Sequence, residues 1–200
     1  MGKLVDNWYW VFDVPKRDVV VTVEDFLTET EIDRLIEWGE DNLSPSTMGN
    51  GRFNFDLKIA DSARLDVDLF KDIYNKLEKV VQHINSKHYN YLISKFEKLE
   101  LLRYSSGGHM AMHTDSPFNS SVKLSCLMPL TTQDSDYKGG DFILYDGNRP
   151  ITPKNGKHKL ELKKGSLVFY PGYMLHEVTP ITSGTRMMLG TWIYGERPYM

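Results

Sequence analysis

From Tyr89 onward the chain is written in short runs of Val, Ile, Leu, Phe and Tyr separated by clusters of Gly, Pro, Asn and Asp. This texture limits the fold more than any other feature. β-Branched and aromatic side chains suit a pleated surface, and turn residues at such short intervals leave no room for long helices. The predicted strands are Lys98–Tyr104, Met110–Thr114, Val122–Pro129, Asp141–Tyr145, Lys159–Leu162, Ser166–Tyr170, His176–Thr179 and Arg186–Tyr194. About eight short strands joined by tight turns predict a closed or nearly closed antiparallel sandwich, an architecture that limits exposed edges.

The first part of the chain has the helical period instead. Thr28 and Glu31 stand at capping-box spacing, and Ile32, Leu35 and Ile36 follow on one face. This helix should end near Asn42, before Ser44-Pro45. A second helix carries Leu69, Ile73, Leu77, Val80, Val81 and Ile84 on one face. Both stripes are read as core packing against a sheet. Thr47 to Arg64, opened by Gly49-Asn50-Gly51, has neither period and is read as a strand pair or a mobile loop.

Together these patterns predict an α+β chain with a double-stranded β-helix of jelly-roll or cupin type. One domain over residues 1–200 is expected, with helical support at about 25–88 and the barrel at about 89–195. At 200 residues, 40% of them hydrophobic, the chain can bury a sizeable core. A formal net charge of -3 with scattered basic residues argues against nucleic-acid or membrane partners. Cys126 is the single cysteine, so an internal disulfide is impossible, and its apolar neighbours mark it as a small buried hydrophobe. No run reaches the roughly 18 apolar residues of a membrane span, and a secretory leader is not expected, since the first residues lack an uninterrupted apolar segment with a cleavage site. A soluble, cytoplasmic setting is expected.

The chemistry concentrates in few residues. In His113-Thr114-Asp115 the first and third side chains of an extended segment point to the same side. A His-x-Asp doublet is weak by itself. Further on, Gly165 to Gly172 reads as a turn, a buried strand and a second turn, and Leu175-His176-Glu177-Val178 then places a histidine on the next strand. Two histidines and a carboxylate on one face of a metal leave the opposite positions open, which suits non-haem Fe(II). A structural zinc site would more often use cysteine. Arg186 stands beyond the turn Thr182-Ser183-Gly184. If the strands on either side are antiparallel neighbours, that hairpin returns Arg186 to the same interior, where a guanidinium can bind a carboxylate through two parallel hydrogen bonds. The alternative is a surface salt bridge; the apolar Met187-Met188-Leu189 that follows favours the inward reading.

These residues carry a resemblance to a known family. Arg103-Tyr104-Ser105-Ser106-Gly107-Gly108-His109-Met110-Ala111-Met112-His113-Thr114-Asp115 resembles the Tyr-x-x-Gly…His-x-Asp signature of prolyl 4-hydroxylase-like Fe(II)/2-oxoglutarate-dependent dioxygenases. Gly139-Gly140-Asp141-Phe142 resembles their Gly-Gly strand. His176 to Arg186 resembles their His-x-Val-x-Pro-Val-x-x-Gly-x-Arg segment, and Trp192 falls where they place an aromatic near the metal. The resemblance runs over about residues 25–195 in the family order.

The resemblance implies roles. His113, Asp115 and His176 would be the catalytic residues and would ligate Fe(II). Arg186 would hold the distal carboxylate of 2-oxoglutarate, Tyr104 would hydrogen-bond it, and Leu127 would line its pocket. O2 would be the oxidant and ascorbate a reductant. For Tyr104 the alternative is a core tyrosine satisfied elsewhere. Met110 and Pro129 depart from the pattern, standing where relatives have tyrosines, and Thr131, Thr185 or Ser125 could supply the missing polar contacts. Lys58 and Arg64 lie in a segment expected to close as a lid; they are candidates for the basic residue that some relatives use to position a peptide, with solvated charge as the preferred reading of both. Ser116–Ser121 is a second expected lid. His83, His88 and His158 are read as surface residues, and His109 as a possible outer partner of the site.

Two readings of function follow. In the first the chain is a 2-oxoglutarate-dependent dioxygenase that forms succinate and CO2. It would hydroxylate prolyl residues in a peptide or protein, with a free amino acid or small metabolite as the alternative substrate. In the second it is a non-catalytic jelly-roll module that binds metal or a partner.

Overall fold

The computed structural model describes residues 3–5, 9–11, 19–47, 54–116, 120–145 and 157–196. The tips of both expected lids, 48–53 and 117–119, lie outside the described residues, as do Gly49, Asn50 and Phe118.

In chain order, β1 (Lys3–Val5) and β2 (Tyr9–Val11) pair with each other, and β3 (Val21–Val23) leads into α1 (Glu29–Asn42). Strands β4 (Ser44–Pro45), β5 (Lys58–Ile59) and β6 (Asp61–Arg64) precede α2 (Lys71–Ile84), which runs into a π-helical turn at Asn85–Tyr89. Then follow β7 (Ile93–Phe96), β8 (Glu100–Tyr104), β9 (His109–His113), β10 (Val122–Pro129), β11 (Tyr137–Gly139) and β12 (Phe142–Tyr145). The last are β13 (Lys157–Leu160), β14 (Leu167–Pro171), β15 (His176–Val178), β16 (Ile181–Gly184) and β17 (Arg186–Gly195).

Each of the eight strands predicted from sequence corresponds to an observed strand. The segment Thr47 to Arg64 holds β5, an edge strand of the small sheet, and β6, which lies between β8 and β4 in the large one. Sheet order explains the rest. The large sheet runs β3-β14-β10-β17-β8-β6-β4, with β7 also on β17, and the small sheet runs β13-β12-β15-β9-β5. Among the described residues, the strand pairs in these sheets are antiparallel, as in the double-stranded β-helix fold.

The large sheet is covered on both faces, and the two-residue period decides which side chain goes where. Leu124, Cys126 and Met128 of β10, Leu167 and Phe169 of β14, and Met187 and Leu189 of β17 pack under the helices. Their alternates Leu127, Tyr170 and Met188 join Phe142, Leu144 and Val178 of the small sheet in a second cluster between the sheets. Burial on both faces is why β10 is nearly continuously apolar.

The helices form where the pattern predicts. Thr28 caps α1: its hydroxyl accepts from the Glu31 N–H at 3.2 Å and the Glu31 carboxylate accepts from the Thr28 N–H at 2.8 Å. Glu31 also accepts from Lys76 of α2 at 2.7 Å, and Arg34 pairs with Asp72 at 2.7 Å, so the helices are tied side by side. The α2 stripe is corrected at its start. Leu69 is 55% exposed and precedes the helix, while Phe70 is fully buried at its N-cap and takes the apolar position.

Candidate metal centre

His113 ends β9 and His176 begins β15, and the two are directly opposed in the antiparallel ladder. Their rings stand 4.2 Å apart, centroid to centroid. Asp115 lies two residues beyond β9 in a bend, and its carboxylate reaches both: Oδ1 is 3.5 Å from His113 Nε2 and Oδ2 is 3.5 Å from His176 Nε2. One donor atom from each of the three lies within 4.8 Å of the others.

The orientation of these groups is held from outside. His113 Nδ1 bonds the Ala111 carbonyl at 2.8 Å and His176 Nδ1 bonds the Met174 carbonyl at 2.9 Å. A carbonyl can only accept, so both protons sit on Nδ1 and both Nε2 lone pairs face inward, the tautomer a metal ligand needs. Ser125 of β10 donates to Asp115 Oδ2 at 2.6 Å. Burial pushes the Asp115 carboxyl up, but the bonds and charges of His113, His176 and Ser125 outweigh it and hold the group below its ordinary range. Burial is also the main reason that His176 titrates low, which favours its neutral, ligating form.

Behind the triad the two sheets enclose a small cavity of about 70 Å³, lined by Tyr104, Leu127, Phe142, Tyr170, Val178 and Met188 among others. Tyr104 is buried at 3% exposure, and burial raises its phenol to about 12, so it stays a neutral donor. Arg186 is 2% exposed, with its guanidinium carbon 5.4 Å from the Tyr104 ring centroid. It does not line the cavity directly. Its Nη1 donates to the Met188 sulfur at 2.9 Å, and Met188 does line the cavity. Its Nη2 is the only fully buried side-chain polar atom without a partner among the described residues. An unpartnered buried cation costs several kcal/mol. That orphaned donor, beside an apolar cavity with the His113, Asp115 and His176 triad at its mouth, fits a small dianion such as 2-oxoglutarate.

Arg186 reaches this interior by a different route from the expected hairpin. Strand β15 pairs with β12 and β9, whereas β17 pairs with β10, β8 and β7, so His176 and Arg186 lie on opposite sheets. The turn between them belongs to β16, which pairs with β11. Gly139 and Gly184 permit this pairing: both have positive φ, and a Cβ would stand 2.4 Å from the Pro180 carbonyl oxygen or 2.2 Å from that of Asp136.

A family profile described as the 2OG-Fe(II) oxygenase superfamily matches residues 99–194, the span that holds the triad, Tyr104 and Arg186. This stretch, just under half of the chain, is similar to the 2OG-Fe(II) oxygenase superfamily. A PKHD-type hydroxylase of Stenotrophomonas maltophilia (strain R551-3) is 32% identical over 98 residues, 46% of this chain and 40% of that protein. A second, from Aliarcobacter butzleri (strain RM4018), is 29% identical over 153 residues, 72% of this chain and 61% of that protein. The chain thus spans less than two thirds of the length of these relatives. In fold, the chain resembles a prolyl hydroxylase from Trichoplax adhaerens, solved in complex with a hypoxia inducible factor oxygen degradation domain peptide fragment. The TM-score is 0.73 at 18% identity, over 88% of this chain and 84% of that one. The matched family is one that uses Fe(II), 2-oxoglutarate and O2.

Other residues around the site fall as follows. Trp192 lines both the inner cavity and a larger outer groove of about 910 Å³, with Arg64 over its ring at 5.4 Å. Lys58 is not a solvated charge. Its side chain is 11% exposed, it lines cavity and groove, and burial lowers its ammonium pKa. The reason is register: Lys58 pairs with Met110 across β5 and β9, so it enters the site beside Met110, which also lines the cavity. Arg64 is 45% exposed but paired with Glu97 at 3.2 Å. Thr131 is spent on the backbone of Met187, and Ser125 on Asp115. His109 turns to the Gly107 carbonyl and does not line the cavity.

Sequence reasoning missed Tyr170, Phe142 and Glu100. Tyr170 is fully buried, with its hydroxyl 3.4 Å from His176 Nε2 and 3.5 Å from Asp115 Oδ2. The signal was present: in Leu167 to Pro171 alternate residues must face opposite sheets, so a tyrosine out of phase with Leu167 and Phe169 has to face the interior.

Proposed function

We propose that this chain is an Fe(II)- and 2-oxoglutarate-dependent dioxygenase that hydroxylates prolyl residues in a peptide or protein. The observation that carries this reading is the orphaned Nη2 of Arg186 behind an open His113, Asp115 and His176 face. The two Nε2 atoms and a carboxylate oxygen of Asp115 would hold the iron. Arg186 and Tyr104 would take the distal carboxylate of 2-oxoglutarate. Leu127, Phe142, Val178 and Met188 keep the surroundings dry, which strengthens each charge contact. When bound, iron with 2-oxoglutarate and O2 supplies the oxidising power, yielding succinate, CO2 and a substrate hydroxyl. Ascorbate as a reductant belongs to the same proposal.

The outer groove from Trp38 to Tyr194 is far larger than one amino acid, which supports an extended chain as substrate. The Trichoplax adhaerens neighbour was solved with a peptide, which supports the same choice.

Two measurements test the reading. Anaerobic Fe(II) plus 2-oxoglutarate should give a weak visible charge-transfer band, absent in His176→Ala. Proline-containing peptides should raise 2-oxoglutarate decarboxylation above the uncoupled rate, and free amino acids should not. An unchanged band in His176→Ala would sink the ligand set; stimulation by free amino acids alone would sink the peptide substrate.

A further inference from the structure

Lys58 and Glu100 form a charged pair inside the site that the iron and 2-oxoglutarate chemistry leaves unused. Lys58 Nζ lies 3.9 Å from Glu100 Oε1, and each side chain is 11% exposed. Glu100 Oε2 lies 3.9 Å from Arg64 Nη2. These separations exceed hydrogen-bond length. Among the described residues neither Lys58 nor Glu100 has a side-chain hydrogen bond. The strands set this spacing. Glu100 is registered opposite Arg64 on β6, and Lys58 opposite Met110 on β9. Both residues line the inner cavity and the outer groove, so they stand where the two meet, beside His113 and Asp115.

Two desolvated charges held just out of bonding range suit a ligand that offers one acceptor and one donor on the same side. A residue in extended conformation does this, as in an antiparallel ladder where it exchanges both N–H···O bonds with one partner. We propose that Lys58 and Glu100 read the backbone of the peptide substrate next to the target proline, Lys58 donating to a carbonyl and Glu100 accepting an amide N–H. Proline has no N–H, so the residue read is one of its neighbours. This inference rests on the peptide reading above. A free zwitterionic amino acid could also span the pair, but the groove beyond it accommodates a chain.

The test uses a proline peptide and two depsipeptide versions, each with an ester in place of one amide flanking the proline unit. Comparing kcat/KM in the iron-loaded wild type, one ester should lose roughly 10- to 100-fold, the effect of an unpaired buried carboxylate. In Glu100→Ala the amide and that ester should be turned over alike, and Glu100→Gln, which keeps an acceptor, should retain most of the preference. Lys58→Met should raise KM for amide and ester equally. If Glu100→Ala fails to fold, the double variant Lys58→Met/Glu100→Leu leaves no unpaired charge and should show the same loss of preference. An amide-to-ester ratio in Glu100→Ala, or in the double variant, that is the same as in wild type overturns the proposal while leaving the peptide reading intact. If no peptide is turned over while the anaerobic band is present, the peptide reading falls and the proposal with it.

Discussion

Arg186 donates through Nη1 to the sulfur of Met188 at 2.9 Å, while its Nη2 has no partner. A thioether is a weak acceptor. A carboxylate offered to the same fork would replace a weak bond and an absent one with two charge-assisted bonds. Arg186→Lys keeps the charge and loses the fork. It should raise the KM for 2-oxoglutarate roughly 10- to 100-fold. Anaerobic titration of the charge-transfer band checks this, and an unaltered midpoint would place the anchor elsewhere.

Ser125 donates to Asp115 at 2.6 Å, and this bond sets where that carboxylate points. Ser125→Ala should fold normally and weaken Fe(II) or Mn(II) binding about 10- to 100-fold. Equilibrium dialysis gives the number. Wild-type affinity would mean that Tyr170 alone orients Asp115.

Glu31 joins the cap of α1 to Lys76 of α2. Burial pushes its carboxyl up, but Lys76 and Thr28 together outweigh this and hold it below the ordinary range. A carboxyl with a depressed folded pKa contributes stability that is present above its unfolded pKa and lost as pH falls through the folded value. The Tm gap between wild type and Glu31→Gln should therefore be open at about pH 7 and close as pH drops below about 4.3, the unfolded value. A gap that stays constant across a pH series of thermal melts would contradict this assignment.

Gly107 and Gly139 both have positive φ, but only Gly139 is crowded. A Cβ there would sit 2.4 Å from the Pro180 oxygen, whereas at Gly107 nothing lies within 4 Å. Gly107→Ala should cost about 1 kcal/mol, the left-handed penalty alone. Gly139→Ala should cost more than about 3 kcal/mol, because backbone must also move. Urea denaturation of the two variants separates the effects; equal losses would show that β16 yields easily.

The strands legible in the sequence are those that carry a period or a long apolar run, such as Val122–Pro129. The short strands at Lys58–Ile59, Asp61–Arg64 and Ile181–Gly184 carry neither. They are two to four residues long and polar, and they exist because a neighbouring strand offers hydrogen bonds. Leu69 was drawn into the α2 stripe because spacing alone cannot tell an apolar residue just before a helix from one inside it.

By itself the sequence determined which chemical groups are available and which segments alternate in or out, because periodicity and capping are local properties of the chain. His113, Asp115, His176 and Arg186 were visible on that basis. Only the tertiary structure decided that Arg186 faces the triad from the opposite sheet, that Tyr170 joins it, and that Lys58 is buried against Glu100. These relations are made by strand order and register. Both are settled by backbone pairing between segments distant in sequence, which leaves no mark on any one of them.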